Sequence, residues 1–220
     1  MEIKPIKAVL FDLDGTLVDT AHDLIAALNL VLTELGFPLQ EYQSFKYTVS
    51  NGSPFMVKKA LPDHSAEQRE PIRQKMLSHY TRINGERGGV FPELIDVLTK
   101  LTSKNIAIGV VTNKPAHFTH PLLQRLGVID KLKCVISGNT TTRTKPDPAP
   151  MLLAAQQMQI EPEHILYVGD APRDIEAAKN SNMQSAVAMW GYLSKNDTPE
   201  LWKADHLLQK PIELLALFNI

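Results

Sequence analysis

Two carboxylates, Asp12 and Asp14, flank Leu13 directly after the apolar run Ala8-Val9-Leu10-Phe11. A run of that length closed by a glycine predicts a short buried strand. A carboxylate just past the C-terminal end of a parallel strand faces the crevice where open α/β sheets bind ligands. Gly15 allows the backbone to turn away sharply, so that both acids can face one reacting group. The pair suits two different jobs at a phosphorus centre. Asp12 can attack to form an aspartyl-phosphate, while Asp14 can protonate the leaving alkoxide and later deprotonate the attacking water. A divalent cation would make this attack of anion on anion feasible. Thr16 is placed to position a phosphate oxygen or to cap the segment that follows.

Three further groups sit near predicted strand ends. Thr112 and Asn113 follow Val110-Val111 and bring a hydroxyl and an amide, neutral donors able to hold phosphoryl oxygens. Lys145 lies in Arg143-Thr144-Lys145-Pro146-Asp147-Pro148, where the prolines stiffen the loop around a compact positive charge. Asp170 and Asp174 follow Tyr167-Val168-Gly169 and supply further acids. The seven histidines are scattered; His117 and His120 could share a helical face, but carboxylates near a lysine suit Mg²⁺ better than zinc. The lysine/serine phosphate loop of nucleotide kinases is missing.

The elements that must carry these groups alternate. Strands are predicted at Ala8 to Phe11, Ile106 to Val111, Cys134 to Ile136, Ile165 to Val168 and Ser185 to Met189, with amphipathic helical patterns between most of them. That alternation predicts a parallel α/β sheet. Pro148 and Pro150 suit a helix start, and Pro121 predicts a kink or restart in the helix that holds it. Roughly ninety residues separate Phe11 from Ile106, where a βαβ unit needs about thirty. The excess is helical in pattern: Leu24, Ala27, Leu28, Val31, Leu32 and Leu35 share a face, followed by Val57 to Leu61 and Arg69 to Ile83. The spacing predicts a small cap inserted between about Asp19 and Gly88, giving core segments 1–18 and 89–220 around a cap over 19–88. Gly85 and Gly88-Gly89 punctuate its return, so the two boundaries can hinge.

Composition narrows the class of function. The 23 basic and 24 acidic residues leave a formal charge of −1, which gives no electrostatic footprint for a nucleic-acid polymer or a membrane surface. The single cysteine, Cys134, excludes an intrachain disulfide and suits a reducing compartment. No stretch approaches the roughly 18 apolar residues of a membrane span, and the start lacks a signal-peptide pattern, so a cytoplasmic location is expected.

Asp12-Leu13-Asp14-Gly15-Thr16-Leu17-Val18-Asp19-Thr20 resembles the opening signature of the haloacid-dehalogenase-like phosphohydrolases, and the likeness runs nearly end to end. Val110 to Lys114, Arg143 to Pro148 and Tyr167 to Asp174 resemble the second, third and fourth motifs of that family. The resemblance implies a Rossmann-like α/β core with an inserted helical cap, Asp12 as nucleophile, Asp14 as acid and base, Thr112 as phosphate ligand and Lys145 as the phosphate clamp. It implies Mg²⁺ held by Asp12, Asp170 and the backbone carbonyl of Asp14, with Asp174 orienting metal-bound water or the surroundings of Lys145. Lys114 falls outside this catalytic group. The paired acid argues for phosphate rather than halide chemistry.

Within the family, Asn51-Gly52-Ser53 resembles the specificity loop of phosphoglycolate-phosphatase-like members, with Asn113 as a further substrate candidate. The implied reaction is Mg²⁺-dependent hydrolysis of a small soluble phosphomonoester, 2-phosphoglycolate first. The alternatives are N-acetylmuramic acid 6-phosphate and another sugar or nucleotide monophosphate. Arg87-Gly88-Gly89-Val90-Phe91-Pro92 departs from the stretch common in phosphoglycolate phosphatases.

Overall fold

The computed structural model describes residues 4–220. The chain opens with β1 (Ala8–Phe11) and β2 (Val18–Asp19). Four helices follow: α1 (Ala21–Leu35), the short α2 (Tyr42–Phe45), α3 (Gly52–Ala60) and α4 (Ala66–Ile83). It returns through β3 (Gly89–Val90) and continues α5 (Leu94–Ser103), β4 (Ala107–Val111), α6 (Ala116–Arg125), β5 (Cys134–Ile136), α7 (Ala149–Met158), β6 (Ile165–Gly169), α8 (Pro172–Asn180), β7 (Gln184–Ala188) and β8 (His206–Leu208).

Six strands form one parallel sheet in the order β5-β4-β1-β6-β7-β8. This is the Rossmann-like α/β architecture expected from the strand and helix alternation. β1 lies between β4 and β6, so its residues are covered on both edges and both faces and all four are fully buried. Side chains alternate across a strand: Val9 and Phe11 enter the core beneath α5, whereas Ala8 and Leu10 enter the core beneath α7 and α8. β6 repeats the pattern, with Leu166 and Val168 on one face and Ile165 and Tyr167 on the other. Burial of one such side chain contributes about 1.5–3 kcal/mol, which holds the ends of β1 and β6 in fixed register.

β2 and β3 form a two-stranded antiparallel ribbon, pairing Val18 with Val90 and Asp19 with Gly89. Both chain crossings between the sheet and helices α1 to α4 therefore lie side by side. In the segment before β3 three backbone donors go to one side chain: Asp23 of α1 accepts from the N–H groups of Gly85, Arg87 and Gly88 at 2.9, 2.9 and 3.3 Å. The four helices share their own apolar core, including Leu28, Leu32, Met56, Met76 and Tyr80, which also packs on Phe118 and Tyr192.

Two details differ from expectation. Helix α6 runs unbroken through Pro121, because Pro121 and His117, whose carbonyl lacks the usual donor, both lie on the exposed face. β8, with only three residues, completes the far edge of the sheet.

Candidate active site

Asp12, Thr112 and Asp170 each follow the last residue of a strand, β1, β4 and β6 respectively, at the same end of the sheet. Strand order reverses between β1 and β6, and such a switch point opens a crevice at the carboxyl ends of the strands. The side chain of Asp12 is held firmly there. Its Oδ1 accepts from the Leu13 N–H at 2.7 Å and lies 2.9 Å from Lys145 Nζ. Oδ2 has no donor among the described residues.

Lys145 is delivered to this point by Asn113. The Lys145 N–H donates to Asn113 Oδ1 and Asn113 Nδ2 donates to the Lys145 carbonyl, both at 3.0 Å. The Lys145–Pro146 peptide is cis. The buried ammonium contacts Asp12, Asp174 Oδ1 at 2.8 Å and the Tyr167 hydroxyl at 2.6 Å, so its three donors meet three acceptors. Tyr167 in turn donates to the Val111 carbonyl at 2.7 Å. Burial alone would raise the Asp12 carboxyl, but Lys145, with Arg173 beyond it, holds it below the ordinary carboxylate value. For Asp174 the balance falls the other way: burial, with Asp12 adding to it, raises the carboxyl despite Lys145.

Asp12, Asp170 and Asp174 bring one carboxylate oxygen each to within 4.8 Å of one another. Asp174 is already engaged, since Oδ2 accepts from the Ala171 N–H at 3.0 Å and Oδ1 faces Lys145. Asp170 is engaged at one oxygen: Oδ2 accepts from the Tyr192 N–H at 2.9 Å and the Ser50 hydroxyl at 3.0 Å, while Oδ1 is buried without a partner among the described residues. Burial, reinforced by Asp174 and Asp12, pushes the Asp170 carboxyl up to about 7. An orphaned buried oxygen among hard carboxylate donors fits a divalent cation. Gly15 is required beside it, since its φ is +82° and a Cβ there would meet Asp170 Oδ2 at 2.2 Å.

The side chain of Asp14 turns away from this cluster. Its Oδ1 accepts from Thr20 Oγ1 at 2.6 Å, and Lys114 Nζ lies 3.0 and 3.3 Å from its two oxygens. Lys114 is 8% exposed and sits over the Tyr80 ring, 4.6 Å from its centroid. Burial would lower the ammonium, but Asp14 beside it raises it above the ordinary lysine value. Lys114, outside the group expected from the sequence, is therefore part of the site. Its sequence signal was limited to its place after Thr112-Asn113.

A cavity of about 250 Å³ separates this floor from the helices above it. Asp12, Asp14, Thr112, Asn113, Lys114 and Arg173 line the floor; Val49, Ser50, Gly52, Ser53, Pro54, Met56, Arg73, Leu77 and Tyr80 line the roof. Of the substrate candidates, Gly52 and Ser53 reach the cavity, whereas Asn51 is exposed and does not line it. Asn113 also lines it, but both polar atoms of its side chain are committed to the Lys145 backbone. Thr112 Oγ1 accepts from the Lys114 N–H at 3.2 Å and orients the loop. Thr16 is fully buried and its Oγ1 has no partner among the described residues, so it does not cap the segment that follows.

The sheet topology, the acids at its switch point and the helical roof are those of a hydrolase family. Residues 9–188 match the haloacid dehalogenase-like hydrolase model, and the chain belongs to that family. It is 36% identical over 97% of its length to an N-acetylmuramic acid 6-phosphate phosphatase of Pseudomonas aeruginosa, covering 95% of that relative. It is 38% identical over 99% of its length to a phosphoglycolate phosphatase of Nitrosococcus oceani, covering 98% of that relative. Among solved structures, a predicted phosphoglycolate phosphatase of Haemophilus somnus shares the fold with a TM-score of 0.87 at 24% identity, over 98% of this chain and 99% of that one. Among the described residues no helix is long and apolar enough to cross a membrane.

Proposed function

We propose that the protein is a Mg²⁺-dependent phosphatase that hydrolyses a small phosphomonoester through an aspartyl-phosphate on Asp12. The observation that carries this reading is the state of Asp12: one oxygen is fixed by Leu13 and Lys145, the other has no donor among the described residues, and the residue lines the cavity. In the first step an Asp12 carboxylate oxygen attacks phosphorus, the P–O bond to the alcohol breaks, and protonated Asp14 gives its proton to the leaving alkoxide. In the second, Asp14 takes a proton from water, the water oxygen attacks phosphorus, and inorganic phosphate leaves Asp12 as a carboxylate. Lys145 steadies the negative charge of Asp12 throughout, while the Thr112 hydroxyl, which accepts from the Lys114 N–H and keeps its own proton to donate, serves a phosphoryl oxygen. Asp12 and Asp170, with the Asp14 carbonyl, would hold Mg²⁺, and Asp174 would support Lys145. The bound cation would supply positive charge against the repulsion between carboxylate and phosphate.

Residues 19–88 act in this reading as a cap that closes over the crevice and shields the acyl phosphate from bulk water, pivoting where β2 and β3 run side by side. Support comes from Ser50, which reaches from the roof to Asp170.

Two substrates remain in view. 2-Phosphoglycolate is the one the sequence motifs point to first, supported by the relatives that carry that name. N-acetylmuramic acid 6-phosphate is favoured by a specific observation. Leu24, Val49, Met56, Leu77, Tyr80 and Phe118 give the cavity an extended apolar wall that the two-carbon body of phosphoglycolate would leave uncovered, and that a sugar ring with its lactyl and acetyl groups can meet. The test is kcat/KM for both esters with Mg²⁺ and after chelation. Turnover surviving complete chelation in folded protein contradicts the metal requirement. A tenfold preference for either ester, about 1.4 kcal/mol, decides the substrate.

A further inference from the structure

Both candidate substrates carry a carboxylate as well as a phosphate, and the phosphatase chemistry described above has no use for it. The cations lining the cavity are Lys114, Arg173 and Arg73. Lys114 is spent on both oxygens of Asp14. Arg173 stands at the acidic end, where the charges of Asp174, Asp12 and Asp170 act on it. Arg73 is the roof's own cation, and it is held in a particular pose. Nε and Nη2 make a two-point contact with Glu70 at 2.8 and 2.6 Å, and Nη1 approaches the Ser53 hydroxyl at 3.4 Å. The two-point contact fixes the guanidinium plane and leaves the Nη1 end, beside Ser53, for the cavity. Of the two lysines that end α3, Lys58 lines a neighbouring cavity that shares Pro54 and Arg73, and Lys59 lines neither.

We propose that Arg73, oriented by Glu70 and assisted by the Ser53 hydroxyl, recognises the carboxylate of the substrate and so selects acidic phosphomonoesters over neutral-bodied ones. The proposal rests on the phosphatase reading and adds to it a residue on α4 that sets specificity. Glu70 does not defeat the arrangement, because it occupies the Nε edge and is largely exposed, where water screens its charge. Within the cavity, a charge-assisted contact from a guanidinium is commonly worth a factor of about ten or more in affinity.

The experiment compares esters that differ at the carboxylate alone: N-acetylmuramic acid 6-phosphate against its lactyl carboxamide, and 2-phosphoglycolate against ethyl phosphate. In the native protein, the acidic member of one pair should be preferred in kcat/KM by about tenfold or more, and the pair that shows it identifies the body of the substrate. Arg73→Gln should collapse that ratio to within about threefold of unity, through KM rather than kcat, and Arg73→Lys should keep part of it. Calorimetric binding of the same pairs to Asp12→Asn reads the discrimination without turnover. A ratio that survives in Arg73→Gln, or native protein that binds and turns over both members of each pair alike, overturns the assignment. Failure of the phosphatase reading looks different: none of the four esters would be hydrolysed, and binding to Asp12→Asn would still report on Arg73.

Discussion

The floor and the roof of the cavity are built on opposite principles. In and around the floor, Asp12, Lys145, Asp170 and Asp174 are almost completely buried, and among the described residues each of their charged atoms has a partner within 3.0 Å except Asp12 Oδ2 and Asp170 Oδ1. The roof offers Val49, Pro54, Met56, Leu77 and Tyr80, with Ser50, Ser53 and Arg73 as its polar side chains. A network of paired buried charges tolerates little change, because removal of any one leaves the others desolvated and unmatched. An apolar wall changes its preferences by degrees. Chemistry and selection are therefore separable here, and substitutions on the two sides should differ in kind.

The largest effect should come from Lys145→Met. It removes the one cation between Asp12 and Asp174, so activity should fall by about a thousandfold or more, and the protein should lose about 3–5 kcal/mol of stability, read from denaturant unfolding. Retained stability would show that the acids find another partner.

Asp170→Asn separates function from stability on the same floor. Activity should collapse, yet the metal-free protein should become more stable near neutral pH. In the metal-free native state the Asp170 carboxyl is pushed from 3.8 up to about 7. Between those values the folded protein keeps a proton that the unfolded chain has released, so stability falls as pH rises through the window. Asparagine removes that slope. Melting curves in chelator should match near pH 4 and diverge toward pH 7, with Asp170→Asn higher; the opposite order contradicts the assigned strain. Mg²⁺ should raise the melting temperature of the native protein and leave the variant unchanged.

Lys114→Met tests the less expected half of the floor. Asp14 would lose its charged partner and keep only the Thr20 hydroxyl, and kcat should fall by about tenfold to a hundredfold with a changed pH profile and little change in KM. On the roof, Leu77→Ala should have the smallest effect, a rise in KM of roughly threefold to tenfold with kcat within about twofold. A larger loss in kcat would place Leu77 in the chemistry and blur the distinction between the two sides.

The same contrast governs what could be read from the sequence. Asp12, Asp14, Thr112, Lys145 and Asp170 sit in contiguous motifs at strand ends, and the apolar periodicity of β1, β4 and β6 follows from burial on both faces, so local pattern carries both. The interactions that complete the site are long-range. Lys114 meets Asp14 across 100 residues, Ser50 meets Asp170 across 120, and Tyr192 joins Asp170 from a loop after β7. Ser50 lies one residue outside the Asn51-Gly52-Ser53 loop that the motif marks, and nothing beside Arg73 marks it at all, since their place over the floor depends on how α3 and α4 pack. The β2–β3 ribbon was hidden for a similar reason, being two residues long on each side and set by a pairing across the whole helical insertion.

The account stands most directly on the covalent step at Asp12. Protein quenched during turnover of N-acetylmuramic acid 6-phosphate or 2-phosphoglycolate with Mg²⁺ can be reduced with borohydride, which converts an aspartyl-phosphate to homoserine, and position 12 can then be read by peptide mass spectrometry. Homoserine at position 12, appearing only with substrate and Mg²⁺ and absent from Asp12→Asn, is the predicted result. Unmodified Asp12 in a quenched, actively turning-over sample, or undiminished turnover by Asp12→Asn, would contradict it.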